Sequence, residues 1–341
     1  MMSMGHEQVL FCNDEKTGLR AIIAVHNTVL GPSLGGTRMW NYVSEQEALK
    51  DVLRLSRGMT FKASISGLNL GGGKAVIIGN SKTDKSEGLF RRFGQFVDSL
   101  NGKYITAEDV GISPEDINWV AQETNHVSGL PGKGGDPSPV TAYGVYMGMK
   151  ASAMEQWGND SLEGKTVAVQ GIGHVGMYLV EYLAKENANI IVTDMDQEAI
   201  KLAVNNYGVQ AVGLDEIYDV AMDIYAPCAL GATVNDETLK RLNCSIIAGA
   251  ANNQLANEEV HGLAVMDRGI IYAPDFLINA GGLINCYSEL HGYDKDGAMS
   301  QTEKIYQTTL DIIKKSKQED IPTYLAANRM AEDRISKASE N

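Results

Sequence analysis

The stretch TVAVQGIGHVGMYLVEYLA, residues 166–184, is the most informative part of the chain. The apolar run Thr166–Gln170 predicts a buried strand, and Val180, Leu183 and Ala184 fall on one face of a following helix. A tight glycine turn separates the two. A strand, a glycine turn and a helix in this order are typical of the first βα unit of a dinucleotide-binding domain.

The turn itself matches the pattern G-x-G-x-x-G. In that pattern the first glycine permits the tight turn, the second lets the backbone approach a pyrophosphate, and the third lets helix and strand pack closely. The free N–H groups of the helix then meet the phosphate charge. We therefore predict that the cofactor is contacted by Gly171, Gly173, His174, Val175 and Gly176.

A second strand, Ile190–Thr193, leads directly to Asp194. A carboxylate about 20 residues beyond the glycine turn accepts the ribose hydroxyls and repels a 2′-phosphate, so Asp194 favours NAD over NADP. Further short strands near 224, 245–248 and 269–272 alternate with helices. This rhythm predicts an α/β fold with a doubly wound parallel sheet as the NAD-binding domain.

The run SGLPGKGGDPS at 128–138 is typical of a linker or loop. We predict a smaller α/β substrate and oligomerisation domain at 1–136, joined by the C-terminal helix 321–341. The dinucleotide-binding domain then occupies 137–320. Within the first domain, Ser44 and Glu47 form a capping-box pattern, and Gly58 suits the end of the helix that they open.

Composition excludes several classes of protein. A net charge of −14 over 341 residues argues against nucleic acid as a partner. The four cysteines form no C-x-x-C pair, which predicts free thiols and no metal site. No apolar run of membrane-spanning length is present. We expect a cytoplasmic protein without a membrane partner.

Two lysines stand 12 positions apart, and Lys74 directly follows three glycines. Glycines let the backbone crowd a small ligand, and a lysine shielded from water beside a second cation has a lowered pKa. Lys74 could then act as a base, while Lys62 holds a carboxylate. Asp109 is a candidate acid, although on these grounds it is no better than Glu108.

Six blocks of the chain resemble the glutamate, leucine, phenylalanine and valine dehydrogenase family, and most of all its branch that uses leucine. The blocks are GPSLGGTRMW (31–40), GMTFKASISGLNLGGGKAVIIG (58–79), ITAEDVG (105–111), DPSPVTAYGVYMGMKA (136–151), AGAANNQL (248–255) and APDFLINAGGLINCYSELHGY (273–293). The resemblance implies an active site in the cleft between two domains, and a homo-oligomer, either a dimer or an octamer.

The resemblance also implies a role for each matching residue. Lys62 would hold the substrate α-carboxylate, helped by the backbone N–H groups of Gly35 and Gly36. Lys74 would activate water, and Asp109 would transfer protons. At the nicotinamide end of the cofactor, the resemblance implies Thr141 and Asn253.

The side-chain pocket implied by the resemblance is apolar. Leu34 replaces the lysine of glutamate-using members, and Met59, Leu283 and Cys286 complete the predicted lining. Such a pocket would leave a substrate γ-carboxylate buried and unpaired, at a cost of several kcal/mol. We therefore expect NAD-dependent oxidative deamination of leucine, valine or isoleucine to the 2-oxo acid and ammonia. A phenylalanine or other aromatic amino-acid dehydrogenase is one alternative, and a non-catalytic NAD-bound sensor is another.

Overall fold

The computed structural model describes residues 4–130 and 134–340, so residues 131–133 of the predicted loop lie outside the described residues. The chain divides into two units. Unit 1 runs to Gly135 and adds Cys286–Tyr293 and the chain from Ala331 onward, and unit 2 holds Asp136–Asn285 and Asp294–Met330.

This division differs in two places from the domain bounds expected from the sequence. Residues 286–293 belong to unit 1, and the C-terminal segment that belongs to it begins at residue 331 instead of 321. Hydrogen bonds within unit 1 explain both differences from the expected bounds. Glu289 accepts the N–H of Gly129 at 2.9 Å, and Arg334 donates to the carbonyl of Leu68 at 2.7 Å. The roles that we predicted for the domains stay predictions.

In unit 1 the regular elements up to the division are β1 (Gln8–Asp14), β2 (Leu19–Asn27), β3 (Ser33–Leu34), β4 (Thr37–Trp40), α1 (Glu45–Ile65), β5 (Gly71–Ile78), α2 (Glu87–Asp98), β6 (Tyr104–Ile105) and α3 (Pro114–Ala121). The strand order is β1-β2-β5-β3-β6, and β4 also pairs with β5. β1 and β2 are antiparallel, as are β2 and β5, whereas β3 and β4 run parallel to β5.

Helix α1 begins as predicted, since the Ser44 side chain accepts the N–H of Glu47 at 3.2 Å. The prediction that it ends at Gly58 is wrong, because the helix continues to Ile65. Buried residues recur along it from Ala48 to Ile65. Their burial outweighs the roughly 1 kcal/mol that a glycine costs inside a helix. The continuation carries Lys62 in the last turn.

Unit 2 contains a six-stranded sheet in the order β12-β11-β10-β7-β8-β9, with every pairing parallel. From Asp136 to the C-terminus, the strands and helices are α4 (Ser138–Trp157), β7 (Thr166–Gln170), α5 (His174–Lys185), β8 (Asn189–Thr193), α6 (Gln197–Tyr207), β9 (Gln210–Ala211), β10 (Ile224–Pro227), α7 (Thr238–Arg241), β11 (Ile246–Ile247), α8 (Glu258–Asp267), β12 (Ile271–Tyr272), α9 (Asp275–Ile278), α10 (Gly281–Leu290), α11 (Lys295–Glu303), α12 (Ile305–Glu319) and α13 (Thr323–Ser339).

The strand order in unit 2 reverses at β7, which is the first strand of that sheet in the chain and has β8 on one side and β10 on the other. This is the doubly wound order, and ligands bind such sheets where the order reverses. The predicted α/β class with a doubly wound parallel sheet is confirmed. Among the described residues no helix is long and apolar enough to cross a membrane.

Candidate active site

Strand β5 pairs with β3 up to Gly72 and with β4 from Ala75 onward, and Lys74 lies between these two stretches. Leu34 lies opposite Gly72, and Thr37 lies opposite Ala75. The Gly35-Gly36 link between β3 and β4 therefore runs beside Lys74. On its other side, the N–H of Thr37 donates to the carbonyl of Ala107 at 2.8 Å, which brings the segment leading to Asp109 alongside.

Lys74 and Asp109 form an ion pair, with Nζ and Oδ2 2.6 Å apart. Only 8% of the Lys74 side chain is exposed. Burial lowers the pKa of Lys74, although the Asp109 carboxylate opposes this effect. Burial alone would raise the pKa of Asp109, but the cations of Lys74 and Arg38 outweigh it, and the pKa lies below its ordinary value. Lys74 is thus a base whose pKa lies below the ordinary lysine value, and it stands next to a carboxylate that remains ionised.

The structure separates Asp109 from Glu108, which the residue pattern alone could not do. Asp109 contacts Lys74, whereas burial, with Asp116 nearby, raises the pKa of Glu108. Gly36 sits tightly in the same place, since a Cβ built on it would lie 3.0 Å from the Cβ of Asp109. The acid that accompanies Lys74 is therefore Asp109.

The three glycines before Lys74 are required by packing inside the protein. A Cβ on Gly72 would lie 2.6 Å from Cα of Thr60 on α1, and one on Gly73 would lie 2.7 Å from the ring of Tyr104. One on Gly71 would overlap the carbonyl oxygen of Asn27. The sequence pattern predicts that these glycines make room for a ligand. In the structure they bring α1, β5 and β6 close together.

One of the three predicted carboxylate contacts is placed differently. The N–H of Gly35 donates to the carbonyl of Ile105 at 3.1 Å, so the sheet and not an anion takes this donor. Lys62 is half-buried in the last turn of α1, the helix that packs on β5. Lys62 and the Gly36 N–H remain predictions for the carboxylate.

The four residues predicted to line the substrate side-chain pocket do not all belong to one unit, and their role as a pocket stays a prediction. Leu34, Met59 and Cys286 belong to unit 1, and Leu283 belongs to unit 2. Leu34 and Leu283 are buried, and Met59 lies against the Gly35 backbone. Burial raises the pKa of the Cys286 thiol, which keeps it neutral near pH 7.

The glycine turn of unit 2 connects β7 to α5, as the pattern predicted. Gly171 has a φ of +97°, a conformation that favours glycine, and a Cβ on Gly176 would overlap the carbonyl of Gly171. Beside Gly173 there is no atom within 4 Å of a built Cβ. The first residues of α5 receive no side-chain cap from Gly173, so its backbone donors suit an anion. His174 is exposed at the same end.

Asp194 follows β8 and accepts the N–H of Ile172 in the glycine turn at 2.7 Å. It also lines a depression of about 500 Å³, together with Met195, Ile200, Val212 and Leu214. An apolar depression beside a carboxylate, next to an open glycine turn, has the chemical character of an adenosine site. These residues fit a nicotinamide dinucleotide.

Two further predicted cofactor residues lie in unit 2. The Thr141 hydroxyl donates to the carbonyl of Pro137 at 3.0 Å in the first turn of α4. Asn253 is exposed with a φ of +53°, and its carbonyl accepts the N–H of Ala232 at 2.7 Å. Their contacts with a cofactor stay predictions.

Arg38 is a charged residue at this site to which we assigned no role from the sequence. Its Nε lies 3.4 Å from Oδ2 of Asp109, and its Nη1 lies 3.0 Å from Oδ2 of Asp51. The only available signal was the alternation of TRMW in β4, where Thr37 and Met39 are buried and Arg38 is not. Alternation assigns a side chain to a face of the sheet but does not identify its partners.

Comparison with known proteins identifies the class of enzyme. The profile of the Glu/Leu/Phe/Val dehydrogenase dimerisation domain matches residues 6–126, and that of Glutamate/Leucine/Phenylalanine/Valine dehydrogenase matches 134–200 and 193–341. The chain belongs to this family of amino-acid dehydrogenases. The resemblance inferred from the sequence is confirmed.

Individual relatives carry several substrate names. The chain is 55% identical to leucine dehydrogenase of Thermoactinomyces intermedius over 98% of this chain and 92% of that protein. It is 49% identical to phenylalanine dehydrogenase of Caldalkalibacillus thermarum, over 97% and 92% respectively. The crystal structure of L-tryptophan dehydrogenase from Nostoc punctiforme is 46% identical, with a TM-score of 0.90 over 99% of this chain and 98% of that one. These relatives are all dehydrogenases, which favours an enzyme over a sensor.

Proposed function

We propose that the chain catalyses the reversible, NAD-dependent oxidative deamination of a branched-chain L-amino acid to the 2-oxo acid and ammonia. The observation that carries this proposal is the ion pair of buried Lys74 with partly buried Asp109, beside the Gly35-Gly36 link. A cation whose pKa is lowered by burial, next to a carboxylate that stays ionised, is suited to moving protons near neutral pH.

The residues of unit 1 supply the acid–base chemistry. Lys62 and the N–H of Gly36 would hold the substrate carboxylate. When bound, NAD supplies the acceptor for the hydride from the substrate Cα. Neutral Lys74 would then take a proton from the water that attacks the resulting iminium carbon. Asp109, 2.6 Å from Lys74, would relay this proton from the Lys74 ammonium to the amine nitrogen and so return to its ionised form. The C–N bond would then break as neutral Lys74 takes the proton of the new hydroxyl group, which leaves the 2-oxo acid and ammonia.

The substrate class is proposed from two observations. Leu34 is 2% exposed and offers no cation to a substrate γ-carboxylate. The leucine dehydrogenase relative is also more similar to this chain than the relatives named for phenylalanine or tryptophan. An apolar pocket separates leucine from valine by only about 1–3 kcal/mol per methylene, so several branched-chain substrates should be used.

An aromatic amino acid is the second candidate substrate. The identities of 48% and 49% to tryptophan and phenylalanine dehydrogenases favour keeping it in the assay. NAD is proposed over NADP because the Asp194 carboxylate would repel a 2′-phosphate. A homo-oligomer is proposed because Phe11 is 60% exposed on the edge strand β1 and the matching profile describes a dimerisation domain.

The test is a kcat/KM panel with leucine, valine, isoleucine, phenylalanine, tryptophan and glutamate, each with NAD and with NADP. Branched-chain substrates with NAD should give the highest values. Lys74→Met should lower kcat by about 10²- to 10⁴-fold, while NAD binding measured by fluorescence stays unchanged. Lys103→Met, at an exposed lysine of the same unit, is the control and should match the wild type. A preference for glutamate, or a Lys74→Met variant with normal kcat, would contradict the proposal.

A further inference from the structure

Arg38 connects the Lys74–Asp109 pair to a second group of polar side chains in unit 1. It lies on β4, one residue beyond Thr37, and β4 runs parallel to β5. Its guanidinium spans two carboxylates, with Nε 3.4 Å from Asp109 and Nη1 3.0 Å from Asp51. About a quarter of the Arg38 side chain is exposed, at 24%.

Asp51 anchors the outer end of this guanidinium. Its carboxylate accepts the Tyr42 hydroxyl at 2.7 Å and Arg54 Nη2 at 3.1 Å, in addition to Arg38. Donors from β4, from the loop directly after it and from α1 itself leave the carboxylate little freedom to rotate. Asp51 therefore holds the Nη1 end of the Arg38 guanidinium, while Nε lies within ion-pair distance of Asp109.

We propose that Arg38 is a positioning residue of the deamination reaction, which holds the Asp109 carboxylate beside Lys74 and is itself held by Asp51. The inference rests on the proposed roles of Lys74 and Asp109. Among the described residues, Arg38 Nε has no hydrogen-bond partner, and its contact with Asp109 Oδ2 at 3.4 Å is an ion pair.

The physical need for such a residue arises from the proton transfers themselves. When Lys74 is neutral, Asp109 loses the positive charge of its partner 2.6 Å away. An isolated buried carboxylate would then take up a proton or turn toward water. Arginine keeps its charge at any relevant pH, so Arg38 supplies a permanent counter-charge.

Arg38 affects the pKa of both Lys74 and Asp109, and the direction of the effect can be measured. The positive charge of Arg38 contributes to lowering the pKa of Lys74 and also that of Asp109. Without Arg38 both pKa values should rise. Because Lys74 acts in its neutral form, the acidic limb of the kcat/KM profile should move to higher pH.

The experiment compares Arg38→Gln, Arg38→Lys and Asp51→Asn with the wild type across pH 6–11. Arg38→Gln should lower kcat by about 10- to 100-fold and shift the acidic limb upward. Arg38→Lys should restore the position of the limb, because the charge returns. It should not restore kcat, because an ammonium cannot span two carboxylates as the planar fork does. Asp51→Asn should lower kcat less than Arg38→Gln does.

Arg92→Gln is the matched control, since Arg92 pairs with Asp14 at 3.2 Å in the same unit and contacts neither catalytic residue. It should keep wild-type kcat and pH profile. Arg38→Gln with an unshifted profile, or an equal loss in Arg92→Gln, would overturn the proposal. If Arg38→Gln does not fold, Asp51→Asn decides, and a wild-type kcat in that variant overturns the role. A fully active Lys74→Met variant would instead reject the proposed function.

Discussion

Replacing Gly72 with alanine should damage the candidate site without touching any charged group. The new Cβ would lie 2.6 Å from Cα of Thr60 and closer still to its backbone nitrogen and hydroxyl. Carbon atoms in contact prefer about 3.5–4.0 Å, so α1 and β5 must separate by roughly 1 Å. Since Lys62 lies on α1 and Lys74 on β5, that movement changes the distance between the proposed carboxylate holder and the proposed base.

The expected magnitude follows from the same geometry. Overpacking of this kind costs about 1–3 kcal/mol or more, because the obstructing atoms include backbone. A displacement of about 1 Å in a reacting group can cost about 10²-fold in rate. We expect Gly72→Ala to unfold at a lower temperature and to lose about 10²-fold in kcat/KM for leucine.

Gly58→Ala is the matched control on the same helix. No atom lies within 4 Å of a Cβ built on Gly58, so alanine should stabilise α1 by about 0.5–1 kcal/mol and leave kcat/KM unchanged. Differential scanning calorimetry and steady-state kinetics measure the two effects. A Gly72→Ala variant with wild-type melting temperature and kcat/KM would refute the packing argument.

Three other perturbations test separate parts of the structure. Asp194→Ser removes the carboxylate that accepts the Ile172 N–H, so the KM for NAD should rise about tenfold and the preference for NAD over NADP should narrow. An unchanged preference would exclude Asp194 from the cofactor site. Leu34→Lys should raise kcat/KM for glutamate relative to leucine by at least about tenfold, and no change would remove Leu34 from the substrate pocket. Burial, with His6 nearby, lowers the pKa of His26 to about 4 from an ordinary 6.5. The unfolded chain therefore takes up the proton first as the pH falls. The free energy of unfolding should drop by about 2 kcal/mol between pH 7 and pH 5 in urea titrations, and His26→Gln should lose that drop; an equal drop in the variant would contradict the assignment.

The candidate site also shows how a parallel arrangement concentrates polar groups. Gly35-Gly36, Lys74 and Asp109 come from three separate segments. Strand pairing places the first two, and the hydrogen bonds of the Ala107 and Val110 carbonyls with β4 place Asp109. Lys74 has sheet neighbours on both sides of its strand, so its backbone is fixed by register and not by a mobile loop. Rigid placement of this kind is what proton transfer over 2.6 Å requires.

The sequence by itself determined the features that depend on local order. The glycine turn at 171–176 and the strand Thr166–Gln170 have the predicted bounds. Turns, caps and apolar periodicity act between near neighbours in the chain, so their signal is readable without a fold. Lys74 was identified in the same way, from the glycines directly before it.

Tertiary structure alone decided the features that join distant segments. The contact of Asp109 with Lys74, the ion pairs of Arg38 with Asp109 and Asp51, and the use of the Gly35 N–H by the sheet all depend on strand register. The extension of α1 past Gly58 depends on its packing against β5. Register and packing depend on the burial of many residues that are far apart in the sequence, so a local sequence pattern does not predict them.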